Sequence, residues 1–118
     1  MAGSTVLAGK TAFVTGSSRG IGRVVATHLA TLGATVAIHG TTTTSSRAFG
    51  EAESLAAVAQ AIAEESGSRV VPVSGDLTDP AVVQRVTEAV RGALGRIDIL
   101  VNCAGGDIGQ AGTGAPMG

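Results

Sequence analysis

The sequence predicts an α/β fold: a doubly wound parallel sheet with helices on both faces. Three observations carry this. Four short runs rich in Val, Ile, Ala and Thr, at residues 11–15, 34–39, 69–74 and 96–102, alternate with three segments whose apolar residues recur at helical spacing. Gly33, Gly67 and Gly95 stand where those helices should stop. Hydrophobic residues make up 44% of the chain, yet only Phe13 and Phe49 are aromatic. A core of small and branched aliphatic side chains suits strands buried on both faces.

Residues 1–9 read as a lead-in, small and polar apart from Val6 and Leu7. The first strand covers 11–15. The first helix covers 20–32, with Ile21, Val24, Val25, Leu29 and Leu32 expected on its buried face. After the second strand comes a hydroxyl-rich loop, Gly40-Thr41-Thr42-Thr43-Thr44-Ser45-Ser46-Arg47, without periodicity. A second helix is expected over 51–65, burying Leu55, Val58, Ala59 and Ile62, with Glu51 and Glu53 in its first turn to complement the dipole. Pro72 removes a ladder donor from the third strand and so assigns it to a sheet edge. Asp79 and Pro80 form a strong helix start, N-cap followed by proline, and Val82, Val83, Val86, Val90 and Leu94 make the buried face of that third helix. Right-handed crossovers then imply the strand order 3-2-1-4, with a ligand crevice between strands one and four.

At 118 residues the chain is at most one domain. Its last fourteen residues, 105–118, hold six glycines and read as a mobile loop. Strand four would then keep an unpaired edge in what should be the middle of a sheet. The expectation is that residues 1–118 are the N-terminal part of a single larger domain. A net charge of −1 gives no basic excess for nucleic acid or an anionic membrane. No apolar run approaches a membrane span, and the single Cys103 points to a reducing compartment, so a cytoplasmic protein is expected. No metal-ligand spacing occurs, and His28 is expected at the surface.

The candidate site begins at Thr15-Gly16-Ser17-Ser18-Arg19-Gly20-Ile21-Gly22. A strand that turns through glycines into a helix presents the free N–H groups of the first helical turn, with the partial positive charge of the dipole behind them. That is a seat for phosphate. Gly16 lets the chain leave the strand, Gly20 lets the backbone approach a pyrophosphate closely, and Gly22 lets the helix pack tightly on the sheet. The spacing, glycine at the first, fifth and seventh positions, differs from GxGxxG.

This run, preceded by Gly9-Lys10 and an N-terminal strand, resembles the glycine signature of the short-chain dehydrogenase/reductase family. Asp98-Ile99-Leu100-Val101-Asn102-Cys103-Ala104-Gly105 resembles its second signature, with Cys103 in place of the second Asn of Asn-Asn-Ala-Gly. The resemblance implies a Rossmann fold and a dinucleotide held by Gly16, Ser18, Arg19, Gly20, Ile21 and Gly22 at the phosphates. Asp76 and Leu77 would meet the adenine. Asn102, Ala104 and Gly105 would lie against the ribose, Asn102 also joining strand ends. The end of strand two, where NAD-preferring members carry Asp or Glu, is Gly40 followed by Thr41 here, and Arg19 stands where many NADP-binding members carry a basic residue. NADP is the expected cofactor. His39 ends the second strand at the same edge and is a candidate to touch the adenosine.

The resemblance implies hydride transfer between nicotinamide and a ketone or secondary alcohol, with a 3-oxoacyl substrate among the candidates and assembly as a homo-oligomer. The family's catalytic Ser, Tyr and Lys are not matched here. The chain has no Tyr, and its only Lys is Lys10. Two readings stay open: the cofactor half of an oxidoreductase, and a non-catalytic dinucleotide-binding or sensing module. A Tyr-x-x-x-Lys segment following the chain would separate them.

Overall fold

The computed structural model describes residues 6–18, 20–40 and 54–103. Its elements run β1 (Thr11–Thr15), α1 (Gly20–Thr31), β2 (Thr35–Gly40), α2 (Leu55–Ser66), β3 (Val70–Ser74), α3 (Pro80–Leu94) and β4 (Ile99–Asn102). The four strands form one parallel sheet in the order β3-β2-β1-β4. The direction of winding reverses beside β1, and Pro72 sits on the edge strand, opposite Ile38, as the sequence implies.

Alternation along the strands divides the core. Ala12 and Val14 of β1 and Val36 and Ile38 of β2 point to one face, where Ala26 and Ala30 of α1 and Leu55, Val58, Ala59 and Ile62 of α2 cover them. Phe13 and Ala37 point the other way, onto Val86 and Val90 of α3. At the outer side of the sheet Leu100 of β4 pairs with Phe13 yet is 64% exposed.

Four local expectations change. The buried line of α1 is Gly22, Ala26 and Ala30, with Val25 and Leu29 flanking it, while Ile21 and Val24 are 79% and 68% exposed. The helix runs close to its neighbours, so small residues occupy the centre of the contact. α2 starts at Leu55, not residue 51, because the Ser54 hydroxyl caps it by accepting from the Ala57 N–H at 3.2 Å. Its first turn carries no acidic residue, and Glu51 and Glu53 lie outside the described residues. In α3 Val83 is exposed rather than buried. Its start is as expected, with Asp79 Oδ1 accepting from the Ala81 N–H at 3.0 Å.

β4 begins at Ile99 rather than residue 96, because the residues ahead of it clamp β1 with side chains. Asp98 Oδ2 accepts from the Thr11 N–H at 2.9 Å and from Arg96 Nε at 3.0 Å, and Thr11 Oγ1 donates to the Arg96 carbonyl at 2.6 Å. The Arg96 guanidinium, then the Thr11 N–H, hold the Asp98 carboxyl below the usual carboxylate range. This clamp closes the amino end of the sheet.

Candidate nucleotide-binding site

The described turns at the carboxyl edge of the sheet follow β1 and β3, and the turn after β1 is built on glycine. Gly16 and Gly20 have φ of 63° and 66°, the left-handed region that glycine enters without strain. A Cβ at Gly20 would have nothing within 4 Å, so the missing side chain leaves open space at the mouth of the turn. Gly22 allows the close approach of α1 to the end of β1. A Cβ there would overlap the carbonyl oxygen of Gly16 and lie 2.9 Å from Ser17 Cα, so Gly22 lets α1 nest against its own turn. α1 has no acidic residue in its first turn to compete with an anion.

What holds this turn in place is a pair of residues that motif spacing does not single out. Ser17 is fully buried; its hydroxyl donates to the Val14 carbonyl at 2.7 Å and accepts from the His39 N–H at 2.8 Å. Its own N–H donates to the His39 carbonyl at 2.7 Å. The His39 ring is equally engaged. Nδ1 accepts from the Gly16 N–H at 2.9 Å, and Nε2 lies 2.8 Å from the Gly75 carbonyl in the turn after β3. A backbone N–H can only donate and a carbonyl can only accept, so the ring is neutral with its proton on Nε2. Burial pushes the His39 pKa below the usual 6.5, with the Gly75 bond opposing the shift. His39 is therefore a buried joint between turns, not the adenosine contact expected of it. One signal was present: alternation sets His39 on the same face as Ala37, and a buried histidine needs two partners.

At the reversal beside β1, Thr15 Oγ1 donates to Asn102 Oδ1 at 2.7 Å and accepts from the Cys103 N–H at 3.1 Å. Asn102 thus ties the ends of β1 and β4. In the turn after β3, Asp76 Oδ1 accepts from the Thr78 hydroxyl at 2.7 Å and the Thr78 N–H at 2.9 Å. Those bonds, the hydroxyl first, hold its pKa below the usual range. Leu77 turns its side chain into the core beneath α3. Gly40 is buried at the end of β2, its carbonyl accepting from the Gly75 N–H at 3.1 Å.

Of the residues singled out in the sequence, Gly16, Ser18, Gly40, Asp76, Leu77 and Asn102 fall at the carboxyl ends of strands or in the turns that follow them, and Gly20, Ile21 and Gly22 in the first turn of α1. Arg19, Thr41, Ala104 and Gly105 lie outside the described residues. His28 is exposed on α1, as expected. Among the described residues no group of His, Cys, Asp and Glu could hold a metal ion, and no helix is long and apolar enough to cross a membrane. The residues present fit a dinucleotide: open space over Gly20, a helix start without carboxylates, and no carboxylate at Gly40.

A parallel sheet in this order, with a glycine turn opening a helix at its reversal, is a Rossmann-like fold. The chain belongs to the short chain dehydrogenase family, which it matches over residues 10–115. It is 42% identical over 97 residues to 3-oxoacyl-[acyl-carrier-protein] reductase FabG of Escherichia coli (strain K12), covering 82% of this chain and 34% of that protein. A dehydrogenase/reductase from Sinorhizobium meliloti 1021 superposes with a TM-score of 0.69 at 42% identity, over 86% of this chain and 36% of that one. L-Sorbose reductase from Gluconobacter frateurii, solved with NADPH and L-sorbose, gives a TM-score of 0.72 at 35% identity, over 86% and 35%. The chain spans about a third of the length of these relatives.

Proposed function

We propose that residues 1–118 form the N-terminal, cofactor-binding part of a single Rossmann domain in an NADP(H)-dependent oxidoreductase. Its substrate class is a ketone or secondary alcohol, 3-oxoacyl compounds among them. The observation that carries this is the turn after β1: two left-handed glycines and open space over Gly20, at the start of a helix beside the reversal in strand order. In this reading the N–H groups around Ser18, Arg19, Gly20, Ile21 and Gly22 bind the pyrophosphate, Asp76 and Leu77 the adenine, and Asn102, Ala104 and Gly105 border the ribose. The nicotinamide, when bound, supplies or accepts the hydride. The exposed Leu100 on the outer strand supports further chain packing there. A cytoplasmic homo-oligomer is part of the same proposal.

The NADP preference rests on charge. Gly40 offers no carboxylate to repel a 2′-phosphate, and Arg19 supplies a cation inside the turn. A charge-assisted hydrogen bond to phosphate contributes about 1.5–3 kcal/mol, a preference of roughly ten- to hundredfold. Dissociation constants for NADPH and NADH, measured for the parent, Gly40→Asp and Arg19→Ala, test this. NADPH should bind more tightly to the parent, Gly40→Asp should reverse the order, and Arg19→Ala should weaken NADPH alone. Tighter NADH binding by the parent refutes the preference.

The alternative is a non-catalytic dinucleotide-binding module. Ketone reduction by the protein with NADPH decides between the two.

A further inference from the structure

The geometry points to His39 as the positioning residue that locks the turn after β1 and the turn after β3 into one register, so that a dinucleotide meets both preformed, and whose protonation breaks the ring's bond to the first of them. This rests on the dinucleotide reading of the site. One imidazole spans two turns that ordinary strand pairing does not join: Gly16, at the phosphate end, donates to Nδ1, and Gly75, one residue before Asp76, accepts from Nε2. The His39 backbone adds two bonds to Ser17, so the phosphate turn hangs from this residue at three points. The ring is 2% exposed and packs edge-on to Phe13, centroids 6.4 Å apart, so it has little freedom to reorient.

Protonation at Nδ1 turns the acceptor for Gly16 into a donor and sets two N–H groups against each other. The Gly16 N–H then loses its partner, and the turn loses its link to the ring while Nε2 still holds Gly75. The charged groups near the joint are few. Arg85 of α3 brings Nη2 within 3.3 Å of where a Cβ on Gly75 would sit, and Asp76 follows Gly75 but is engaged by Thr78. β1 contributes Phe13, the turn after it Gly16 and Ser17, and β3 pairs Val73 with His39. Arg19 lies in the same turn, outside the described residues. No described carboxylate stands ready to take up the charge of a protonated ring.

The test separates the joint from the ligand. Nitrogen-15 spectra of the free protein at neutral pH should show His39 as the Nε2–H tautomer; an Nδ1–H tautomer overturns the proposal without reference to any cofactor. Binding is then measured by calorimetry with ADP-ribose, because the 2′-phosphate of NADP itself titrates near pH 6. The parent should bind with level affinity from about pH 8 to 6.5 and weaken below that. His39→Asn keeps an acceptor oxygen near the Nδ1 position and does not titrate. It should bind within about threefold of the parent at pH 8 and lose the acid limb. His39→Leu, with no acceptor for Gly16, should bind about tenfold more weakly at every pH. Coincident pH profiles for the parent and His39→Asn overturn the proposal, as does parent-like binding by His39→Leu. If His39→Leu does not fold, the Asn profile and the tautomer decide. A parent that binds neither ADP-ribose nor NADP at any pH overturns the dinucleotide reading and the proposal with it, while the tautomer still reports on the joint itself.

Discussion

Replacing Gly22 with alanine sets two effects against each other, and the structure says which wins. Within a helix alanine is favoured over glycine by at most about 1 kcal/mol. Against this, the new Cβ would overlap the Gly16 carbonyl oxygen and stand 2.9 Å from both the Gly16 carbonyl carbon and Ser17 Cα. Carbon atoms pack at about 3.5–4.0 Å, so the turn and the helix must separate by roughly 0.6–1.1 Å. Every obstructing atom is backbone, and no side chain can rotate away to make room. Overpacking of this kind costs about 1–3 kcal/mol, which, less the helix gain, leaves Gly22→Ala destabilised by up to about 2 kcal/mol. Urea unfolding of the protein and the variant reads this as a midpoint lower by up to roughly 1 M. Because the displaced atoms belong to the phosphate turn, affinity for ADP-ribose should fall with it. A midpoint equal to or above that of the parent would refute the reasoning and mean that the turn yields freely.

Ser17→Ala should cost about 2 kcal/mol in the same assay, since it strands the buried His39 N–H and removes the bond to Val14; a loss under about 0.5 kcal/mol would count against the joint. Stability should also follow His39. Its folded pKa lies below its unfolded value of 6.5, so the unfolded chain takes the proton first. Stability is then level above about pH 6.5 and declines by at most about 1.4 kcal/mol per pH unit below it, until the folded pKa is reached, and His39→Asn should flatten this decline. Asp98→Ala should lower the urea midpoint at pH 7 and leave ADP-ribose affinity unchanged, because Asp98 clamps the amino end of the sheet. Asp98 has a lowered pKa, so its contribution is present above 3.8 and lost as pH falls through the folded value. The midpoint gap should narrow in acid, and a gap that persists there would contradict it.

The strand order was legible because each link in the inference is local or topological: apolar runs, glycine stops, Pro72 at an edge and the handedness of crossovers. The glycine turn was legible for the same reason, as Gly16 and Gly20 are required by backbone angles. Faces and caps were less so. Helical spacing marks large apolar residues, whereas the closest part of the α1 contact admits only Gly22, Ala26 and Ala30, which leaves Ile21 and Val24 outside. Glu51 and Glu53 satisfy the dipole rule, but a helix begins where a side chain accepts a backbone N–H, and Ser54 does so. The roles of Ser17 and His39 depend on where β2 ends relative to the turn after β1. That register is a product of folding and has no local signature.

The position of β1 has a consequence for the order of events as the chain folds. Gly16 meets His39 across 23 residues, while Thr15 meets Asn102, and Thr11 meets Asp98, across 87. Closing the longer loop costs roughly 1.2 kcal/mol more in chain entropy, and contacts of long sequence separation are the slow ones to form. The glycine turn and its histidine joint are thus early structures, and the pairing of β1 with β4 is a late one. During synthesis the turn can be set before residue 102 exists, and for that interval the side of β1 awaiting Asn102 is an open strand edge, available to any other extended segment that reaches it first.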